Sequence, residues 1–177
     1  MKEAPRDRPS ARGLRVAIVR SLFNRAVTDG LLDGARAALR ELGALRVSVF
    51  DLPGAFELPL AARAAARSGR FDAVVAIGAV VEGETDHYEH VAREAASGLA
   101  AVARETGLPV AFGVLTVRQE EQARRRSAPG PDNKGAEAAR AAVMTALALR
   151  AIRAQGRARS PEPARPAPRP PARTRSR

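Results

Sequence analysis

Four short apolar runs recur along this chain, separated by longer stretches whose apolar residues fall at helical spacing. Leu14 to Val19, Val47 to Leu52, Ala73 to Val81 and Val110 to Leu115 are mostly apolar from end to end, the pattern of strands covered on both faces. Leu31, Leu32, Ala35, Ala38, Leu39 and Leu42 predict a helix over 29–42, stopped by Gly43. An Ala-rich stretch predicts a second helix over 57–67, ending at Ser68-Gly69, and a third is expected over 87–105, ended by Gly107 and Pro109. A short helix near 119–126, a loop rich in Pro and Gly, and a last helix over 135–154 complete the pattern. Strand and helix alternate four times without an internal repeat. The alternation predicts an α/β fold over residues 14–155: a three-layer α/β/α domain with a four-stranded parallel sheet.

The two ends of the chain break this pattern. Residues 156–177 hold six Pro and no Leu, Ile, Val or Phe. Such a segment cannot offset its ordering entropy by burial, so a disordered Arg/Pro-rich tail is expected there. Residues 1–13, with Pro5 and Pro9, are expected to form a disordered N-terminal arm; they have no apolar centre and do not read as a signal peptide. Charge follows the same division. Of the net +11, residues 151–177 hold +7 and residues 1–13 hold +2, which leaves the intervening fold near neutral at +2. The tail could contact the phosphates of RNA or DNA, or the carboxylates of an acidic partner, although it has no aromatic residue for base stacking. A solubilising appendage fits the same composition.

Composition narrows the chemistry. The hydrophobic fraction is 45% and the aromatic fraction 3%, so the core is expected to consist of Ala, Val and Leu with helices packed close on the sheet. The chain has no Cys, which excludes disulfides, thiolate catalysis and Cys-ligated metals. Two histidines argue against a multi-histidine metal site, and no metal is expected. No apolar run approaches the roughly 20 residues that cross a bilayer, so no membrane partner is expected and a cytoplasmic protein is the default.

Candidate chemistry collects where strands end. Ala73 to Val81 runs into Glu82-Gly83-Glu84-Thr85-Asp86-His87, an apolar strand giving way to a polar turn and a helix start. Open α/β sheets bind ligands at such strand ends, and His87 is the side chain type most easily poised for proton transfer near neutral pH. Free amides of Gly83, Glu84 and Thr85 would form an anion pocket. Asp86 with Glu89 also reads as a capping box, which would make the turn simply a well-capped helix beside an exposed histidine. Pro53-Gly54-Ala55-Phe56-Glu57 likewise follows a strand and opens a helix; Glu57 could accept hydrogen bonds from a polyol. Phe23, after the first strand, could stack on a planar ring or fill core. Arg124-Arg125-Arg126 and Asn133-Lys134-Gly135 bracket a loop and suit a phosphate, or a solvated helix face.

Taken in order, these segments resemble lumazine synthases, the penultimate enzymes of riboflavin biosynthesis. The resemblance runs from about Val16 to Leu149 and includes Phe23-Asn24, Pro53 to Pro59, Gly78 to Val81, Gly83-Glu84-Thr85, His87-Tyr88, Ala111 to Thr116, Glu121-Gln122-Ala123, Arg126 and Asn133 to Glu137. It implies a flavodoxin-like α/β/α domain. It also implies condensation of 5-amino-6-(D-ribitylamino)uracil with 3,4-dihydroxy-2-butanone 4-phosphate to 6,7-dimethyl-8-ribityllumazine, phosphate and water, with no cofactor. Within it, His87 would shuttle protons; Phe23, Ala55, Phe56, Glu57, Val80, Val81, Phe112 and Lys134 would hold the pyrimidine and its ribityl chain; Gly83, Glu84, Thr85 and Arg126 would bind phosphate. Family members form pentamers, many of which build icosahedral shells, and Phe112, Arg126 and Lys134 come from the neighbouring subunit. Glu82 departs from the basic residue common at its position, and Pro129-Gly130-Pro131 replaces a common Thr-Lys pair. These departures leave open a non-catalytic flavin-binding or shell-forming paralogue, with the basic tail binding nucleic acid or acidic cargo.

Overall fold

In the computed structural model the described residues are 9–158. Four strands, β1 (Arg15–Ser21), β2 (Arg46–Leu52), β3 (Ala73–Val81) and β4 (Val110–Val117), form one all-parallel sheet in the order β2-β1-β3-β4. Five helices connect or follow them: α1 (Arg25–Glu41), α2 (Leu58–Arg67), α3 (His87–Thr106), α4 (Glu120–Ser127) and α5 (Lys134–Ala158). A 3-10 turn over Ala55–Glu57 leads into α2. Helices α1, α4 and α5 cover one face of the sheet, and α2 and α3 cover the other. This is the expected three-layer α/β/α, flavodoxin-like arrangement with four parallel strands.

The apolar runs of β1 and β3 conceal a strict alternation. Val16 and Ile18 join the core under α1 and α5, while Ala17 and Val19 join the core under α2 and α3. Along β3, Ala73, Val75, Ile77 and Ala79 face the first core and Val74, Ala76 and Val80 the second. Successive strand residues point to opposite faces, and with a helical layer on each side both sets are apolar. The two outer strands differ from this expectation. No residue of β2 is buried, and on β4 Phe112 and Thr116 are exposed. Edge strands have a neighbour on one side alone, and here the helical layers do not reach over them fully.

Element ends shift from the sequence reading for local reasons. Helix α1 starts at Arg25 rather than 29, because Asn24 adopts a left-handed conformation (φ 56°, ψ 48°) that turns the chain out of β1 and into the helix. Strands β1 and β4 each run two residues further than expected, and α5 continues to Ala158. Of the expected N-terminal arm, residues 1–8 lie outside the described residues. Within the rest, Ala11 is buried and its N–H donates to the Leu42 carbonyl at 2.7 Å, so packing begins ahead of residue 14. The expected disordered tail is outside the described residues from 159 onward.

Two glycines set how closely α1 and α5 meet. A Cβ on Gly135 would fall 1.9 Å from the Leu31 carbonyl oxygen, and one on Gly34 would fall 2.0 Å from Asn133 Oδ1. The Leu31 backbone lies against Gly135, and the Asn133 side chain occupies the space Gly34 leaves. It is buried; its Nδ2 donates to the carbonyls of Gly30, Ser127 and Ala128, and its Oδ1 accepts from the Ala136 N–H at the start of α5.

Candidate active site

The strand order reverses direction at β1: the chain steps outward to β2, then returns to the other side as β3. The carboxyl ends of β1 and β3 therefore border a topological switch point, where the connecting segments diverge and leave a crevice. That crevice is a cleft of about 570 Å³, lined among others by Phe23, Ala55, Phe56, Glu57, Val80 and His87. Each comes from a segment leaving a strand end: Phe23 after β1, Ala55 to Glu57 after β2, Val80 and Val81 at the end of β3, and Gly83, Thr85 and His87 beyond it. Asn24 Nδ2 donates to the Ala79 carbonyl at 2.9 Å, which ties the turn bearing Phe23 to β3.

The cleft is aromatic at its rim. Phe23 is 68% exposed and Phe56 57% exposed. Burial of such rings on folding would normally be favourable, so two uncovered phenylalanines facing one crevice present ring surface to a ligand. His87 opens α3 and is exposed, as are Gly83 and Thr85. Glu84 is exposed and does not belong to the lining. The expected Asp86–Glu89 capping box is not formed: Asp86 makes no side-chain cap hydrogen bond. Its helical backbone (φ −68°, ψ 0°) differs from the extended conformation from which a capping side chain reaches forward. Instead its carbonyl accepts from the Glu89 N–H.

Phe112, Arg126 and Lys134 lie elsewhere. They line a second hollow of about 340 Å³ along β4, α4 and α5, with Gln122 and Glu137. The two linings share no residue. Within a single chain, the imidazole and the Arg126 guanidinium therefore face different cavities. Arg126 Nη1 donates to the Gln122 carbonyl at 3.2 Å, and Lys134 Nζ pairs with Glu137 one turn along α5. Asn133, by holding the end of α4 and the start of α5 together, places both cations in the same hollow.

Three features were not anticipated from sequence. His90 also lines the first cleft; its spacing of three from His87 on a helix puts both on one face, a signal present in the chain. Glu82, the departure noted above, pairs with Arg118 at 3.7 Å, so this acidic group carries its own counter-ion. Arg20, on β1 just beneath the turn of Phe23, is buried and forms a two-pronged pair with Asp51 of β2 at 2.8 Å, plus a bond to Asp29 of α1. Hydrogen bonding to Asp51 raises the Arg20 pKa above its already high ordinary value, and the same contact lowers that of Asp51. The alternation of strand and helix gives no hint of such a buried cation.

No described helix is long and apolar enough to cross a membrane. Residues 13–150 match the family model described as 6,7-dimethyl-8-ribityllumazine synthase.

Proposed function

The chain belongs to the 6,7-dimethyl-8-ribityllumazine synthase family, and from that premise we propose that it is an active lumazine synthase whose catalytic sites form between subunits. It condenses 5-amino-6-(D-ribitylamino)uracil with 3,4-dihydroxy-2-butanone 4-phosphate. The pyrimidine amine attacks the ketone, an imine forms, phosphate leaves and a second ring closes, giving the lumazine, phosphate and water.

One observation carries this reading: the imidazole-bearing cleft and the cationic hollow are separate in one chain, the cleft lined by no Arg or Lys and the hollow by no His. A neighbouring subunit placing its Arg126, Lys134 and Phe112 over the Phe23–His87 cleft completes a site with a ring platform at one end and an anion receptor at the other. A ring of subunits does this at every interface, since a head-to-tail contact repeats until it closes; a pentamer is the assembly proposed.

In that composite site Phe23 stacks on the pyrimidine. Ala55 and Phe56 border the ribityl chain, and Glu57 accepts its hydroxyl hydrogen bonds. The backbone of Val80 and Val81 reads the ring edge. Amides of Gly83 and Thr85 with Arg126 hold the phosphate and stabilise it as it departs. His87 moves the protons between amine, carbinol and imine. Much of the acceleration comes from holding two reactants in register. The Glu82–Arg118 pair keeps the acidic departure at Glu82 from repelling a phosphate substrate.

The direct test supplies both substrates to the purified protein and follows lumazine by its absorbance and fluorescence. Turnover dependent on both compounds supports the proposal; riboflavin binding without turnover would favour a non-catalytic paralogue.

A further inference from the structure

Among the described residues Arg20 is the one buried charged side chain, and no step of the proposed reaction uses it. It follows Val16 and Ile18 on the face of β1 that packs under α1, where the alternation calls for one more apolar residue. Its Nε and Nη2 each donate to an Asp51 oxygen at 2.8 Å, and its Nη1 donates to Asp29. These bonds join three elements. Asp51 is the residue of β2 in register with Arg20, just ahead of the strand's last residue, and Asp29 lies near the start of α1.

Both carboxylates stand at the roots of segments that line the cleft. Beyond Asp51 the chain leaves β2 and enters the segment of Gly54, Ala55, Phe56 and Glu57; ahead of Asp29, the turn from β1 into α1 carries Phe23. The Leu22 N–H, which donates to the Leu52 carbonyl at 2.8 Å, crosses the same gap one residue further on. Phe23 and Phe56 are both exposed, so packing does not fix either ring, and their placement rests on the backbone beneath them. The segment beyond β3, with Gly83, Thr85 and His87, shares no hydrogen bond or ion pair with Arg20, Asp29 or Asp51.

An apolar residue at position 20 would serve stability as well. Withdrawing a charge from water costs about what a good pair returns, and packed apolar groups often replace buried pairs without loss. What an apolar residue cannot do is fix direction. The planar fork of a guanidinium constrains the carboxylates it holds in angle as well as distance.

We propose that Arg20 is a positioning residue: through Asp51 and Asp29 it holds the Phe23 turn and the Ala55–Glu57 turn at the separation that grips the pyrimidine and its ribityl chain. The proposal rests on the lumazine synthase reading above. Arg20 touches no substrate atom. It spares the ligand the loss of affinity that comes with ordering loose segments on binding. The phosphate-bearing substrate meets Gly83, Thr85 and Arg126 instead, so the effect is confined to one of the two substrates.

The test compares the full chain with Arg20→Met and Asp51→Asn. Calorimetric titration with 5-amino-6-(D-ribitylamino)uracil alone reads affinity without turnover, and steady-state kinetics gives KM for each substrate. Met keeps an apolar group of similar length in the core and leaves Asp29 and Asp51, both about half-exposed, to water. Arg20→Met should unfold at the wild-type temperature or above. It should bind the pyrimidine about tenfold more weakly, the effect of ordering two freed aromatic side chains, and raise its KM by the same factor. KM for the butanone phosphate should not change. Asp51→Asn alters an exposed side chain, so it carries the test even if the core rejects Met; it should shift pyrimidine affinity in the same direction by a smaller factor. Wild-type pyrimidine affinity in the folded variants would overturn the proposal. So would a loss shared equally by both substrates, or one accompanied by a lowered unfolding temperature, since either marks a general loosening of the fold. Pyrimidine binding without lumazine formation in the unaltered protein would defeat the catalytic reading while the affinities still decide the role of Arg20. Absence of pyrimidine binding by the unaltered protein would overturn both.

Discussion

The side chains of the cleft differ in how far each depends on its neighbours. His87 is exposed at the head of α3 and does not hold the fold together. His87→Ala should therefore leave thermal unfolding unchanged while slowing lumazine formation by about 10² to 10⁴ if the imidazole moves protons in the transition state; steady-state kinetics with both substrates reads this out. Asn133 is the opposite case. It is buried and spends both ends of its amide on backbone groups of α1, α4 and α5. Asn133→Ala would strand buried carbonyls and should cost about 1–3 kcal/mol of stability, measured by denaturant unfolding. Because Asn133 also sets the spacing of Arg126 and Lys134, the same variant should raise KM for the phosphate-bearing substrate. At this scale the sequence is most legible where chemistry is scarce: of its two histidines, His87 is the one that directly follows the turn after Val81. His90 and Arg20 were not drawn out, since the first needs helical phase and the second needs the register of Arg20 against Asp51 on a neighbouring strand.

Single elements were predicted well in kind and less well at their limits. Buried strands announce themselves by composition, and glycines at 43, 69 and 107, each with positive φ, mark helix ends that L-residues reach at a cost. Helix α1 starts ahead of the expected position because Asn24 begins it through its backbone conformation, with Val27 buried one turn before Leu31. Elements are also held by ion pairs at strand ends. Burial pushes the Asp72 carboxyl up, but hydrogen bonds from the Arg15 side chain and N–H outweigh it, and the net pKa lies below the ordinary value of 3.8. A carboxylate depressed in the folded state stabilises it above the unfolded pKa, and that contribution is lost as pH falls through the folded value. Stability should accordingly hold down to about pH 4 and decline below it. Asp72→Asn should be less stable near neutrality and should lose part of that acid limb. Identical acid profiles for the two proteins, followed by circular dichroism, would contradict the assignment.

In the described fold, one sheet carries both the Phe23–His87 cleft and the cationic hollow along β4. The alternation of strands and helices predicts a parallel sheet with ligands at its strand ends; that the crevice opens between β1 and β3 comes from the strand order, which the alternation leaves open. The separation of Arg126 from His87 did not follow from spacing, because chain order says nothing about which cavity a residue faces once α4 and α5 fold against β4. The resemblance to lumazine synthases implies that Phe112, Arg126 and Lys134 serve a neighbouring subunit's cleft, and in one chain they line a separate hollow. Mass measurement in native buffer should find an oligomer, a pentamer or multiples of one.

Subunit complementation tests the central claim, that catalysis occurs across a boundary between chains. His87→Ala and Arg126→Ala, carrying different affinity tags, are produced together, and oligomers holding both are isolated through the two tags in turn. Sites shared between subunits predict that some interfaces pair an intact cleft with an intact hollow, so the mixed oligomers form lumazine faster than either parent alone. Mixed oligomers no more active than their parents would mean that both residues serve one chain's site and that catalysis does not cross the boundary.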